Sequence, residues 1–383
     1  MKRANGEGCI RQRKDGTWES RATTGRDPGT GKLIRKSYYG KTQAEVRKKL
    51  TSAAHTVDEG TYMEPSKMTV GQWLDVWYKE YQGGVKPYTI SQYGTQIRVH
   101  LKPSLGAIKL QQLTAPMIQS MYNAEQHKGL SAKSIRNLHG VLHKALSQAV
   151  KLSYLHFNPC EACELPRVEK HEIKPLEGDY VNRFLQEAAK SKFEILYTVT
   201  LFTGMRQGEI LGLTWDSINF KTGTINIYRQ LQKERILGGG GTYHFVPLKN
   251  DKTRMITPAP SVLALLRHQK QQQNEWRLKT GELWNNSMNL VFTDETGHHL
   301  YSHTVFTNFK RIVKNIGLND TRFHDLRHTY ATLSLQNGDN IKTVSQTLGH
   351  ATVAFTLDVY GHVTEQMKQE SAARMEAYIH TVK

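Results

Sequence analysis

Hydrophobic and polar positions along the chain fall into three regimes. In the first fifty residues the runs CIRQR, TWESRATT and KLIRKSYY are short and strand-like, separated by the turn signals Lys14-Asp15-Gly16 and GRDPGTGK. TQAEVRKKL then opens with Thr42 and Glu45 at capping-box spacing, so a three-stranded sheet followed by one helix is predicted. From residue 68 the period becomes helical. Val70, Trp73, Leu74 and Trp77 share a face, and GGVKP breaks the chain before YTISQYGTQIRVHL. Further helices start after the N-cap candidates Thr114 and Ser131, the second carrying Ile135, Leu138 and Leu142. The result is a compact bundle of about four helices whose aromatic residues sit at core positions. TYMEPSK (61–67) and FNPCEACELPRVEKHEIKPL (157–176) read as linkers.

The third regime mixes both periods. FEILYTVTLFTGMRQGEILGLTWDSINF predicts a buried helix, a break at Gly204, a second helix and a turn. GTINIYRQL, TYHFVPLK and RMITPAP read as strands of a small antiparallel sheet, and Gly238 to Gly241 as an interruption with little order. Beyond residue 260 the chain is helical almost to its end. In FHDLRHTYATLSLQNG, Leu326, Tyr330 and Leu333 form the buried stripe, stopped by Asn337 and Gly338; in the next helix Ile341, Val344 and Leu348 face inward. The tail TEQMKQESAARMEAYIHTVK is a helix with a modest apolar face through Met367, Ala372, Met375 and Ile379. The fold class is therefore multidomain α+β. Residues 1–62 form a small three-stranded sheet plus helix, 66–160 an all-α helical bundle, and 174–383 a mostly α domain with a small antiparallel sheet and the tail helix.

Charge changes this picture from architecture to partner. The 383 residues hold 52 Lys and Arg against 34 Asp and Glu, a formal net charge of +18. Such a surplus suits a polyanion, because neutralising phosphates releases counterions. Residues 1–50 alone hold 14 Lys or Arg against 5 Asp or Glu, which marks a dedicated binding module. Arg11, Arg13, Arg21 and Arg35 are the candidates for one face of its sheet, a shape that fits a major groove. No apolar run of about 18 residues occurs, so no membrane span is expected. The N-terminus has no apolar core of the kind a secretory signal needs, and three cysteines do not make a disulfide framework; the reading is a reducing cytoplasm. Cys160 and Cys163 form a lone C-x-x-C inside the second linker, without a second ligand pair, and no metal is assigned to them.

His324 and Arg327, three apart, lie on a different helical face from the apolar stripe and pair a proton carrier with a fixed guanidinium, which suits a phosphate. Arg206 follows the Gly204 break, with Glu209 three residues on to orient it; Lys249 stands at a predicted hairpin tip in VPLKNDKTR. Lys252, three residues further, would serve the same hairpin. His350 ends TLGH, and Tyr360 follows ten residues later in FTLDVYGHV. His328 and His362 read as ordinary histidines. The ordered set TGMRQGEI, HDLRHTYAT and LGHATVAFTLDVYGHV resembles the tyrosine recombinase family, the integrases of phages and conjugative elements. The N-terminal sheet module and the helical middle are similar to the arm-binding and core-binding domains of lambda-type integrases.

That resemblance implies roles. Arg206 and Arg327 would clamp the scissile phosphate, Lys249 would be the general acid, His324 and His350 would assist, and Tyr360 would be the nucleophile, forming a covalent 3′-phosphotyrosine. Two guanidiniums offer fixed donor forks to the extra charge of a pentacoordinate transition state. A tyrosine with an ordinary pKa near 10 needs activation, and adjacent cations lower that value. The covalent link conserves the bond energy, so no nucleotide, metal or other cofactor is required. The chain has no G-x-x-x-x-G-K-S/T loop and no evident carboxylate pair for two metals. The implied partners are double-stranded DNA at core and arm attachment sites and a homotetramer on DNA, with an excision factor or host DNA-bending protein. Competing readings are a helix-turn-helix regulator without chemistry and a monomeric type IB topoisomerase-like enzyme.

Overall fold

The computed structural model describes residues 9–26, 30–58, 67–169, 174–176, 178–234, 241–249, 251–350 and 352–382, with side chains for all of these except 24–26, 56–58 and 361–370. Most of the 61–67 linker, the centre of GRDPGTGK, residues 170–173, Gly238 to Gly240 and the side chain of Met367 lie outside this description. The chain divides into two compact units, 1–169 and 170–383.

In the first unit, β1 (Cys9–Gln12), β2 (Trp18–Arg26) and β3 (Leu33–Gly40) form the expected antiparallel sheet in the order β1-β2-β3. The Asp15 carboxylate closes the first turn by accepting from the Thr17 N–H and hydroxyl. Arg11 faces Glu19, Glu19 faces Tyr39, Arg21 faces Ser37 and Thr23 faces Arg35. Because side chains alternate, Arg11, Arg21 and Arg35 share one sheet face. Ser20 and Ala22, on the other face, are buried, as are Val46, Leu50 and Ala53 of α1 (Gln43–Asp58), which packs on β2 and β3. The Thr42 hydroxyl accepts from the Glu45 N–H as predicted, while the Glu45 carboxylate reaches back to Lys41.

The helical part comprises α2 (Val70–Glu80), α3 (Pro87–Gln96), a π-helical turn (Ile97–Leu101) running into α4 (Lys102–Leu105), α5 (Ala115–His127) and α6 (Ala132–Lys151). Val70, Trp73, Leu74, Trp77, Ile135, Leu138 and Leu142 are all in its core, and the Trp73 indole donates to the Ala145 carbonyl at 2.8 Å. Ser131 caps α6 through its hydroxyl; Thr114 occupies the N-cap of α5 without a side-chain bond. One expectation needs correction. The first part of the 157–176 linker belongs to the bundle: Cys160 is buried in the core, and Cys163 and Leu165 pack against it. Proline and charge suggested a linker, but the apolar side of a short 3-10 turn (Pro159–Ala162) decides the packing. Among the described residues no group of His, Cys, Asp or Glu could hold a metal ion, and no helix is long and apolar enough to cross a membrane.

The second unit runs α7 (Asp179–Ala188), α8 (Glu194–Thr203), α9 (Gln207–Leu211), β4 (Ile218–Asn219), β5 (Thr224–Ile227), β6 (Arg229–Glu234), β7 (Thr242–Pro247), β8 (Arg254–Ile256), α10 (Pro260–Thr280), α11 (Ser302–Asn315), α12 (Asp325–Gln336), α13 (Ile341–Leu348) and α14 (Val353–Val382). The predicted single sheet is in fact two. GTINIYRQL divides at Tyr228, so that β4-β5-β8 form one sheet and β6-β7 a separate ribbon. Gly204 has φ +63°, and a Cβ there would fall 2.6 Å from the Tyr330 ring and 2.7 Å from Leu348, so the break requires glycine. On α12 Leu326 is fully buried, while Tyr330 and Leu333 are only half-buried. Val344 and Leu348 of α13 are buried as predicted. The tail helix begins earlier than its sequence suggested, at Val353, and kinks at Tyr360 (φ −118°, ψ 19°).

Candidate active site

Three arginines from three elements meet the C-terminal end of α13. The last carbonyls of a helix have no partner within it and carry partial negative charge. Here Arg254 Nε donates to the Thr347 carbonyl at 2.7 Å, Arg327 Nη2 to that of Leu348 at 2.5 Å, and Arg206 Nη2 to that of Gly349 at 3.3 Å. A second Arg327 donor takes the Gly204 carbonyl at 2.8 Å, so the break after α8 and the end of α13 hold one guanidinium between them. Gly349 adopts φ +65° and turns the chain so that His350 follows directly.

Glu209 ties two of these cations together. Its carboxylate accepts from Arg206 Nη1 at 2.8 Å, from Arg254 Nη1 at 3.0 Å and Nη2 at 2.6 Å, and from the Arg206 backbone N–H at 2.8 Å. Burial alone would raise its pKa, but the Arg254 and Arg206 contacts outweigh it and hold the carboxyl down at about 2. Arg327 is itself 2% exposed. Burial, then Arg206, lowers its pKa to about 9, which leaves it a cation at neutral pH. Three guanidiniums against one carboxylate give the pocket a net positive charge that an anion would complement.

Tyr360 arrives from the same chain. It is 2% exposed, packed with Ala331, Leu335, Val344 and Leu348, and its hydroxyl shares a hydrogen bond with His328 Nδ1 at 2.6 Å. Burial raises its pKa to about 12 against the opposing pull of Arg327. The expected lowering by cations is thus outweighed at rest. His350 Nδ1 shares a hydrogen bond with the Thr356 hydroxyl at 2.8 Å, and its ring stands edge-on to Phe355. His324 stands edge-on to His328 with ring centroids 5.0 Å apart. Burial, followed by the neighbouring arginines and histidines, lowers His350 to about 3; His324, whose surface is more open, is drawn down as well by packing, by His328 and by the two arginines. These imidazoles are neutral at physiological pH.

Arg206, Glu209, His324, Arg327, His350 and Tyr360 therefore converge. Lys249 does not stand at a hairpin tip: β7 pairs with β6 and β8 with β5, and Lys249 and Lys252 are exposed on the turn between two sheets, which closes through the Asp251 N–H to the Leu248 carbonyl. Two residues were missed. Arg254, which the sequence places only at the start of the strand-like run RMITPAP, has a side chain 7% exposed and grips Glu209. His328 was set aside as ordinary, yet it holds the Tyr360 hydroxyl. In the sheet module Arg11, Arg21 and Arg35 share a face, and the Arg13 guanidinium lies 5.4 Å above the Tyr39 ring on that face.

Neutral imidazoles, paired guanidiniums and a phenol make a site for phosphoryl transfer to tyrosine. The Phage integrase family matches residues 174–367, just over half of the chain, and the phage integrase N-terminal SAM-like domain matches 69–125. The chain belongs to the phage integrase family. It is 29% identical over 362 residues to a tyrosine recombinase XerC-like protein of Caldanaerobacter subterraneus, covering 90% of this chain and 92% of the relative. It is 23% identical to the ICEBs1 integrase of Bacillus subtilis, covering 96% and 99%. Among solved structures, the Tn1549 transposon integrase in complex with transposon right end DNA shares its fold at TM-score 0.68, with 23% identity over 81% of this chain and 100% of that one. A lambda integrase tetramer bound to a Holliday junction gives TM-score 0.59, with 21% identity over 94% and 97%.

Proposed function

We propose that this chain is a tyrosine site-specific recombinase that cuts DNA through a covalent 3′-phosphotyrosine link, rejoins it, and so integrates and excises a mobile element. The observation that carries the reading is the convergence of Arg206, Arg327 and Tyr360, within one chain, on the end of α13. In the proposed reaction the two guanidiniums bind the nonbridging oxygens of the scissile phosphate, with Glu209 and Arg254 holding Arg206 in place. Tyr360 attacks phosphorus. His324 and His350 donate to the developing charge, and Lys249 protonates the leaving 5′ oxygen from its exposed turn.

The proposed division of labour is an arm-type DNA-binding domain over 1–62, a core-binding domain over 66–160 and a catalytic domain over 174–383. Arg11, Arg13, Arg21 and Arg35 grip DNA phosphates on the sheet face, and binding two sites at once raises the effective concentration of the second. Supporting a homotetramer on DNA, Met375, Tyr378, Ile379 and Val382 recur on one face of the tail helix and are all exposed, so a second copy can receive them. An excision factor or a host DNA-bending protein completes the proposed partner set, and the bacterial cytoplasm is the proposed setting. The test is a nicked suicide duplex carrying the element's attachment junction. The unsubstituted protein forms an adduct stable to boiling in detergent, and Y360F binds the duplex without forming one. An adduct that persists in Y360F would remove Tyr360 from the role.

A further inference from the structure

We propose that His328 is a catalytic residue: its Nδ1 holds the Tyr360 hydroxyl and takes the phenolic proton as the oxygen attacks phosphorus. This rests on the recombinase reading above and adds to it the base that the reading lacks. Of the histidines in the pocket, His328 is the one hydrogen-bonded to the nucleophile, at 2.6 Å, whereas His350 is engaged with Thr356 and His324 stands edge-on to the His328 ring. The acceptor role needs a neutral ring with its proton on Nε2, and the environment supplies the neutrality. Arg322, His324, Asp325 and Arg327 on its own helix and the turn before it, Tyr360 on α14 and His350 after α13 are the charged and titratable groups that face it. Burial, with Arg327 and Arg322, keeps the ring neutral with a pKa of about 4, so a lone pair is available to the phenol.

Asp325 works the other way. It is 4% exposed and lies one turn before His328, where its charge favours the imidazolium. The arrangement is a phenol, an imidazole and a carboxylate in series, with the carboxylate acting through space. The Tyr360 O–H bond breaks and its proton passes to His328, while the phenolic O–P bond forms and the bond from phosphorus to the 5′ oxygen breaks. That 5′ oxygen takes a proton from the general acid, proposed to be Lys249. On religation the attacking 5′ hydroxyl returns its proton to the lysine amine, and the imidazolium returns its own to the departing phenolate. No cofactor enters the balance.

The experiment uses the full chain and the nicked suicide duplex, comparing the unsubstituted protein with H328A, H324A and Y360F, each of the first three also prepared with 3,5-difluorotyrosine in place of Tyr360. H328A is expected to bind the duplex normally and to form adduct about a hundredfold to ten-thousandfold more slowly. The fluorinated phenol ionises near neutral pH, so it restores at least tenfold of that deficit in H328A and leaves H324A largely unrepaired. Adduct formation by H328A at the unsubstituted rate, or a deficit the fluorinated residue does not repair, would overturn the assignment while leaving the recombinase reading intact. No adduct from the unsubstituted protein, or an unchanged adduct from Y360F, would defeat that reading instead. Should H328A fail to fold, H328N keeps an acceptor of similar reach without a proton-accepting lone pair on nitrogen and carries the same comparison.

Discussion

Two regions of this molecule contain the same arrangement, a glutamate between two arginines, and use it in opposite ways. On the sheet face Glu19 accepts from Arg11 and Arg21; in the second unit Glu209 accepts from Arg206 and Arg254. Both carboxyls are held down at about 2, Glu19 chiefly by its Arg11 hydrogen bond and Glu209 by two guanidiniums that overcome burial. The arginines differ. Arg11 and Arg21 side chains are 59% and 54% exposed, whereas Arg206 and Arg254 are 26% and 7% exposed, with further donors occupied by the carbonyls that end α13. An exposed cation can swing to meet a phosphate wherever DNA presents it, which suits affinity. A cation pinned at both ends cannot, which suits a transition state whose charge develops at one point. The same ion pair therefore leaves exposed, adaptable cations in one place and pinned ones in the other.

The largest effect is expected at Arg327. R327A should bind DNA nearly as well as the unsubstituted protein and lose adduct formation by about a thousandfold, measured by single-turnover trapping on the suicide duplex. R327K tests geometry separately from charge, because a lysine cannot span the Gly204 and Leu348 carbonyls together; it should be almost as impaired. Next in size is R254K, which breaks the forked contact to Glu209 and displaces Arg206 without touching DNA. Its cleavage should fall about a hundredfold with binding retained. Full activity in R254K would show that Arg206 needs no such bracing.

Much of this was legible in the chain. The spacing of Val70, Trp73, Leu74 and Trp77, the stripe of α6 and the glycine at 204 each state a local rule that the fold obeys. The sheet boundaries were less so, because β5 and β6 alternate alike and only the partner strands show that Tyr228 separates two sheets. Cys160 looked like part of a linker because composition speaks for a segment, whereas burial belongs to a single side chain. His328 and Arg254 were missed for a common reason. Each acquires its role from a residue distant in sequence, Tyr360 and Glu209, and no short window contains both.

The pH behaviour sharpens the contrast further. Glu209 has a folded-state pKa depressed from 4.5 to about 2, so its contribution to stability is fully present above 4.5 and is lost as pH falls toward 2. E209Q should therefore flatten the acid limb of denaturant-measured stability between those values, where the native protein weakens. His350 and His324 are lowered too, to about 3 and 4, so they are neutral at rest and, like Glu209, weaken the folded state as pH falls below their ordinary values. Their NMR titrations in the free protein should lie well below the ordinary histidine range and move up when a duplex places a phosphate beside them. The smallest effect is reserved for the sheet. R21A should weaken binding to duplexes containing arm sites uniformly across sequence, reduce the salt slope by about 1, and leave cleavage of core-only duplexes unchanged.

The decisive point is which oxygen becomes bonded to phosphorus. Digestion of the trapped adduct and mass spectrometry of the nucleotide-bearing peptide should place the modification on Tyr360, from a chain whose own Arg206 and Arg327 are intact. Attachment at another tyrosine, such as Tyr330, or an adduct formed only when a second copy supplies those arginines, would contradict it.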